Sequence, residues 1–169
     1  APDANGGEHD RVAPRNPLEA TLAAMRGFVA VGHVRYATSG STASLDAAQP
    51  HVPAHERFAL AHNGTLVNTD PLRARLAKEG IELRGDTDSE IAAKAIGLFT
   101  RPTHHLRDGI RRAMELLEGA YAMVLASSES LYVFRDSNGI RPLCIGKLPD
   151  DRGWVVSSET CGLDIVGAE

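Results

Sequence analysis

Two cysteines, Cys144 and Cys161, are all that the 169 residues contain. They form no CxxC pair, and a structural zinc site needs four closely spaced ligands, so the count argues against one. Each sits beside apolar residues, which reads as two reduced, partly buried thiols rather than a disulfide. The seven histidines supply no HExxH and no other metal-ligand spacing. Positive charge is not in excess either. Lys and Arg number 18 against 22 Asp and Glu, a net charge of −4. General binding to nucleic acid or to an anionic membrane surface needs clustered Lys and Arg, so both are set aside. No apolar run approaches the roughly 20 residues that span a bilayer. Residues 1–17 lack the apolar stretch of a signal peptide. No internal repeat is present. Hydrophobic residues at 43% and charged residues at 24% are ordinary for a globular domain, which excludes a fibrous or wholly disordered chain.

The chain order reads as strands, then helices, then strands. Residues 1–17 hold three prolines and two glycines and read as a mobile tail, with the domain over 18–169. A short helix is expected over 18–26. FVAVGHVRY at 28–36 is apolar on both parities and reads as a strand covered on both faces. Residues 37–53 read as a long loop. RFALAHNGTLV at 57–67 places Asn63-Gly64 between two apolar runs, the sequence of a tight hairpin. A helix is expected from 68–71 to the stop at Gly80. Thr87-Asp88-Ser89-Glu90 matches the capping box and opens a helix to about Phe99. Ile110, Met114 and Leu117 stripe a third helix over 106–117. Strands follow at 120–126, 130–135, 143–147 and 154–158, then a short helix over 158–166. The fold class is α+β. Both ends would leave sheet edges unpaired, which suggests a piece of a longer protein.

Four stretches can carry chemistry. Arg35 ends a strand and opens into a Ser/Thr/Gly loop, where it can fork onto a carboxylate. The plainer reading, stronger on spacing alone, is an Arg at the surface or paired within the fold. His62-Asn63-Gly64 is most simply a turn. Its chemical reading is an Asn amide and a Gly N–H aimed at a developing oxyanion. In the capping box, Asp88 is not needed by the cap, and it could hold an ammonium. Residues 135–142, RDSNGIRP, read best as a hairpin with solvated charges. Together these parts could hold an amino acid and hydrolyse its side-chain amide. A nucleophile is missing: Ser39, Ser41 and Ser89 have no evident Ser-His-Asp context, and G-x-S-x-G is absent.

These residues resemble the glutamine-hydrolysing domain of the amidophosphoribosyltransferase family. The matching stretches, in the family's order, are GHVRYATSG at 32–40, AQP at 48–50, LAHNGTLVN at 60–68, DTDSE at 86–90, GAYAMV at 119–124, FRDSNGIRPLCIG at 134–146 and SSETCGLDIVGA at 157–168. The first three are shared with sister enzymes such as glucosamine 6-phosphate synthase, whereas RDSNGIRPL and SSETCGLDIVGA favour the purine enzyme. The resemblance implies an N-terminal-nucleophile fold, a four-layer αββα sandwich, here incomplete. It implies that Arg35 binds the glutamine α-carboxylate with Thr38 lining the same pocket. It further implies that Asn63 and Gly64 form the oxyanion hole and that Asp88 holds the α-ammonium.

The nucleophile of the family is an N-terminal cysteine, whose thiolate attacks the amide. This chain begins with Ala1, and its two cysteines are interior, so the chain alone is expected to be inactive. The alternatives are a glutaminase domain of the glucosamine 6-phosphate synthase type, or a catalytically dead module that binds glutamine or a partner. The resemblance also implies a missing phosphoribosyltransferase domain with its Mg2+, an iron–sulfur cluster in some members, a homo-oligomeric parent and a cytoplasmic location. No cofactor is expected in residues 18–169 themselves.

Overall fold

The computed structural model describes residues 16–34, 45–53 and 56–169. Helix α1 (Pro17–Ala24) starts where Asn16 caps it: the Asn16 side-chain oxygen accepts the Glu19 N–H at 2.9 Å, and Pro17 occupies the first turn. The helix thus begins one residue before the expected domain boundary. The strand expected over 28–36 is not formed in its described part, 28–34. That segment has no ladder partner among the described residues, and Phe28 and Val34 are 81% and 84% exposed. Its apolar pattern is real, but a strand exists only through paired N–H and C=O groups.

Strands β1 (Phe58–Leu66), β2 (Gly119–Ser127) and β3 (Leu131–Arg135) form an antiparallel sheet in that order. The register sets Leu60 opposite Leu125, His62 opposite Met123 and Gly64 opposite Tyr121. Asn63-Gly64 therefore lies inside a continuous strand. The expected hairpin turn is not there, because both residues keep the ladder to β2. Alternation puts Phe58, Leu60, His62 and Leu66 on one face with Tyr121, Met123 and Leu125. That face builds a single core with Leu72 and Leu76 of α2 (Thr69–Lys78), Ile91 and Ile96 of α3 (Asp88–Thr100), and Ile110 and Ala113 of α4 (Leu106–Met114). Leu60, Ile91, Ile96, Met123 and Leu125 are wholly buried. Each such side chain contributes about 1.5–3 kcal/mol relative to exposure.

Two local features hold α3 in place. Thr87 caps it through Oγ1, which accepts the Glu90 N–H at 3.2 Å. The reciprocal half of the capping box does not form. The Glu90 carboxylate instead accepts the N–H groups of Arg84 and Gly85, each at 2.8 Å, and pairs with Lys94 at 3.1 Å. Burial alone would raise the Glu90 pKa, but these bonds hold it below its ordinary value. At the other end, α4 crosses so closely that a β-carbon on Gly109 would lie 2.0 Å from Thr100 Oγ1.

Strands β4 (Cys144–Lys147) and β5 (Trp154–Ser157) pair separately as a two-stranded ribbon, followed by α5 (Cys161–Val166). Leu163 and Ala168 lie against Gly146 on one face of the ribbon. The other face leaves Ile145 and Trp154 exposed. Residues 136–141 thus join two sheets and are not a hairpin. The expectation of solvated charges there also fails for Asp136, which is buried. Its carboxylate accepts N–H groups from Tyr121, Asn138 and Ile140 at 3.1, 3.0 and 3.4 Å. Burial opposes its charge, but these backbone donors keep its pKa below the ordinary carboxylate value. Of the two thiols, Cys144 is half-buried and Cys161 is exposed, so the expectation of partial burial holds only for the first. The architecture is α+β, with helices α2 to α4 on the three-stranded sheet. No helix among the described residues is long and apolar enough to cross a membrane.

Candidate functional site

The free edge of β1 is where the sequence-derived residues meet. In an antiparallel strand, alternate residues turn both N–H and C=O to the same edge. On β1 those residues are Leu60, His62, Gly64 and Leu66. Leu60 exchanges both its bonds with the His51 backbone, at 2.7 and 2.9 Å. His62 exchanges both of its own with a side chain: its N–H donates to Gln49 Oε1 at 2.6 Å, and its C=O accepts from Gln49 Nε2 at 3.2 Å. Leu66 N–H donates to Asp88 Oδ2 at 2.9 Å. Gly64, between them, makes no hydrogen bond to a side chain or loop among the described residues. Its φ is +140°, and a β-carbon there would lie 2.0 Å from the Ala120 carbonyl oxygen. Glycine is thus required by backbone conformation and by the approach of β2. Asn63 is exposed, on the sheet face opposite His62.

Asp88 opens α3, with its side chain 24% exposed. One oxygen is spent on Leu66; the other lies 3.4 Å from Ser89 Oγ and 3.8 Å from His62 Nδ1. His62 is 3% exposed, and burial lowers its pKa to about 4, against the opposing pull of Asp88. The ring is therefore neutral near pH 7, and its approach to Asp88 is not an ion pair. Nearby positive charge reinforces this: Arg141, on the exposed loop after Asp136, also lowers the His62 pKa. His51, 8% exposed, is likewise lowered by burial, although Glu90 and Asp88 pull the other way.

Ser89 Oγ joins these groups. It lies 2.9 Å from His62 Nδ1 and accepts from Gln49 Nε2 at 3.2 Å. With the proton on His62 Nδ1, that N–H donates to Ser89 Oγ, and the Ser89 hydroxyl donates to Asp88. This arrangement satisfies the most groups, and we assign it on that basis. The sequence reading found no Ser-His-Asp context for Ser89, yet the fold creates one. It is not a nucleophile's context, because Ser89 is 4% exposed and its oxygen is already engaged by three neighbours. His62 Nε2 is buried without a hydrogen-bond partner among the described residues.

The structure thus brings Gly64 and Asp88 to one strand edge, while Asn63, next to Gly64 in β1, lies on the sheet face opposite His62. Arg35 and Thr38 lie outside the described residues. Gln49 was missed as a working residue; its only signal is the AQP stretch, which says nothing of where its amide points. Among the described residues no three His, Cys, Asp or Glu side chains converge as a metal site, so these residues do not fit one. Chemically, the edge offers one backbone N–H that is open among the described residues, a nearby side-chain amide and a half-oriented carboxylate.

Residues 33–164 match the glutamine amidotransferase domain family. The chain is 44% identical over 163 residues to the amidophosphoribosyltransferase of Mycobacterium leprae, covering 89% of this chain and 28% of that one. With the enzyme of the same name from Synechococcus elongatus it shares 43% over 152 residues, covering 88% and 31%. Among solved structures, the Bacillus subtilis glutamine phosphoribosylpyrophosphate amidotransferase, complexed with ADP and GMP, superposes with a TM-score of 0.68. Identity there is 38%, over 80% of this chain and 29% of the other. The fold is accordingly of the N-terminal-nucleophile type that the motifs implied. The chain spans about 30% of the length of these relatives. A match over residues 33–164, most of its length, places the chain in the glutamine amidotransferase domain family.

Proposed function

We propose that this chain is the glutamine-handling part of an amidophosphoribosyltransferase, the enzyme of the first committed step of purine synthesis. The observation that carries the reading is the β1 edge: closed at His62 by Gln49 and at Leu66 by Asp88, and, among the described residues, open at Gly64. An amide whose carbonyl oxygen points at Gly64 N–H, with Asn63 as second donor, would have its tetrahedral oxyanion stabilised where the charge develops. Asp88 would take the substrate's α-ammonium through the oxygen not spent on Leu66. Arg35, with Thr38, would take its α-carboxylate, as the resemblance implies. The attacking thiolate belongs to an N-terminal cysteine, which this sequence does not contain. The net step consumes glutamine and water and yields glutamate and ammonia. The ammonia then displaces pyrophosphate from 5-phosphoribosyl 1-diphosphate in a linked transferase domain. We place the complete enzyme in the cytoplasm as a homo-oligomer.

The test is Asp88→Asn in the complete enzyme. Losing one charged hydrogen bond costs about 1.5–3 kcal/mol, or roughly 10- to 150-fold in affinity. KM for glutamine should rise by that order while ammonia-driven synthesis is unchanged. An unaltered glutamine KM would refute the ammonium contact.

A further inference from the structure

We infer that Gln49 is a positioning residue for the oxyanion hole: its side-chain amide substitutes for a neighbouring strand at His62 and so sets the open N–H of Gly64. The inference rests on the glutamine-hydrolysis reading above and adds to it a residue that takes no part in contacting substrate.

The backbone pairing of β1 on this edge ends early. His51 pairs with Leu60 through main chain, and the chain then departs. Two residues further, a primary amide supplies what a strand would: one acceptor for His62 N–H and one donor for His62 C=O. The shorter of the two bonds, 2.6 Å, falls on the N–H. Past that point no main chain among the described residues pairs with the edge, and the next outward peptide is Gly64. Gly64 cannot stiffen itself. Having no side chain, it is the most flexible kind of residue, and it is held at φ +140°. Its orientation depends on the peptides either side, clamped by Gln49 before it and by Asp88 Oδ2 after it.

The Gln49 amide is itself oriented. Its nitrogen also donates to Ser89 Oγ, which bonds His62 Nδ1 and reaches Asp88 Oδ1. Swapping the amide's oxygen and nitrogen would set N–H against N–H at His62 and carbonyl against carbonyl. Only one orientation satisfies the strand. The hole and the ammonium-binding carboxylate are thereby tied to one network, so their spacing is set by Gln49 and Ser89 together. Preorganised donors of this kind lower a barrier only when fixed at the position the oxyanion will occupy.

The test uses the complete enzyme that carries this domain. Gln49→Met keeps length and volume but removes both bonds to His62. Gln49→Glu keeps the acceptor for His62 N–H and loses the donor. For a positioning residue, kcat for glutamine hydrolysis should fall about 10- to 100-fold in the Met variant, below the 100- to 1000-fold cost of deleting an oxyanion donor outright. KM for glutamine should stay within about twofold, and the Glu variant should recover part of the lost kcat. Unchanged kcat in both variants would overturn the inference. So would loss of kcat and binding together in both, which would mark Gln49 as a mere tether of residues 45–53. Asp88→Asn runs alongside: if it too leaves glutamine KM unmoved, the underlying functional reading has failed rather than this one.

Discussion

Burial holds the pKa of His62 at about 4, so between pH 6.5 and 4 the unfolded chain takes up a proton that the folded ring refuses. Stability from this residue is complete above pH 6.5 and is lost as pH falls toward 4. At about 1.4 kcal/mol for each tenfold change, the loss is about 3 kcal/mol at most. His51, lowered in the same direction, adds to the slope. Denaturant midpoints measured across this range should fall with pH, and His62→Gln should flatten the fall. An equally steep fall in the variant would assign the acid sensitivity elsewhere. At this scale the sequence was partly legible. Asp88 stood out because a capping box does not need its second residue. Gln49 and Ser89 did not, because their work depends on which strand edge runs out of partners, and no local pattern encodes that.

Among the elements, helices and late strands followed their sequence patterns, and the errors were made by glycine and by absent neighbours. Asn-Gly is a hairpin signal because both residues tolerate positive φ. In β1 only Gly64 uses that freedom, and it does so to let β2 pass close, with no reversal of the chain. Residues 28–34 have the composition of a buried strand and, among the described residues, no partner to make them one. Gly109 shows a third use of glycine, as a contact between helices. Gly109→Ala should gain up to about 1 kcal/mol of helix propensity. It must also displace Thr100, whose Oγ1 and backbone N lie 2.0 and 2.8 Å from the new methyl. Overpacking of this kind costs about 1–3 kcal/mol, and backbone cannot swing aside as a side chain can. Net destabilisation of about 1–2 kcal/mol is therefore expected in urea titrations, and a stabilised variant would mean that α4 is free to shift.

For the molecule as a whole, the three-stranded sheet with α2 to α4 carries the core, and the β4–β5 ribbon with α5 packs its own Leu163 against Gly146. The remaining ribbon face carries Ile145 and Trp154 at 58% and 66% exposure, with Lys147 beside them. Trp154 is the only tryptophan in the sequence. The chain therefore carries one indole, which can be excited selectively over its three tyrosines at the long-wavelength edge of absorption, and it sits away from the core. Emission of the isolated chain should peak near that of the free amino acid in water, and iodide should quench it readily. In the complete enzyme, a blue-shifted, quencher-resistant emission from the same indole would show that further polypeptide covers the ribbon. Emission unchanged between the two would show that this face stays in solvent.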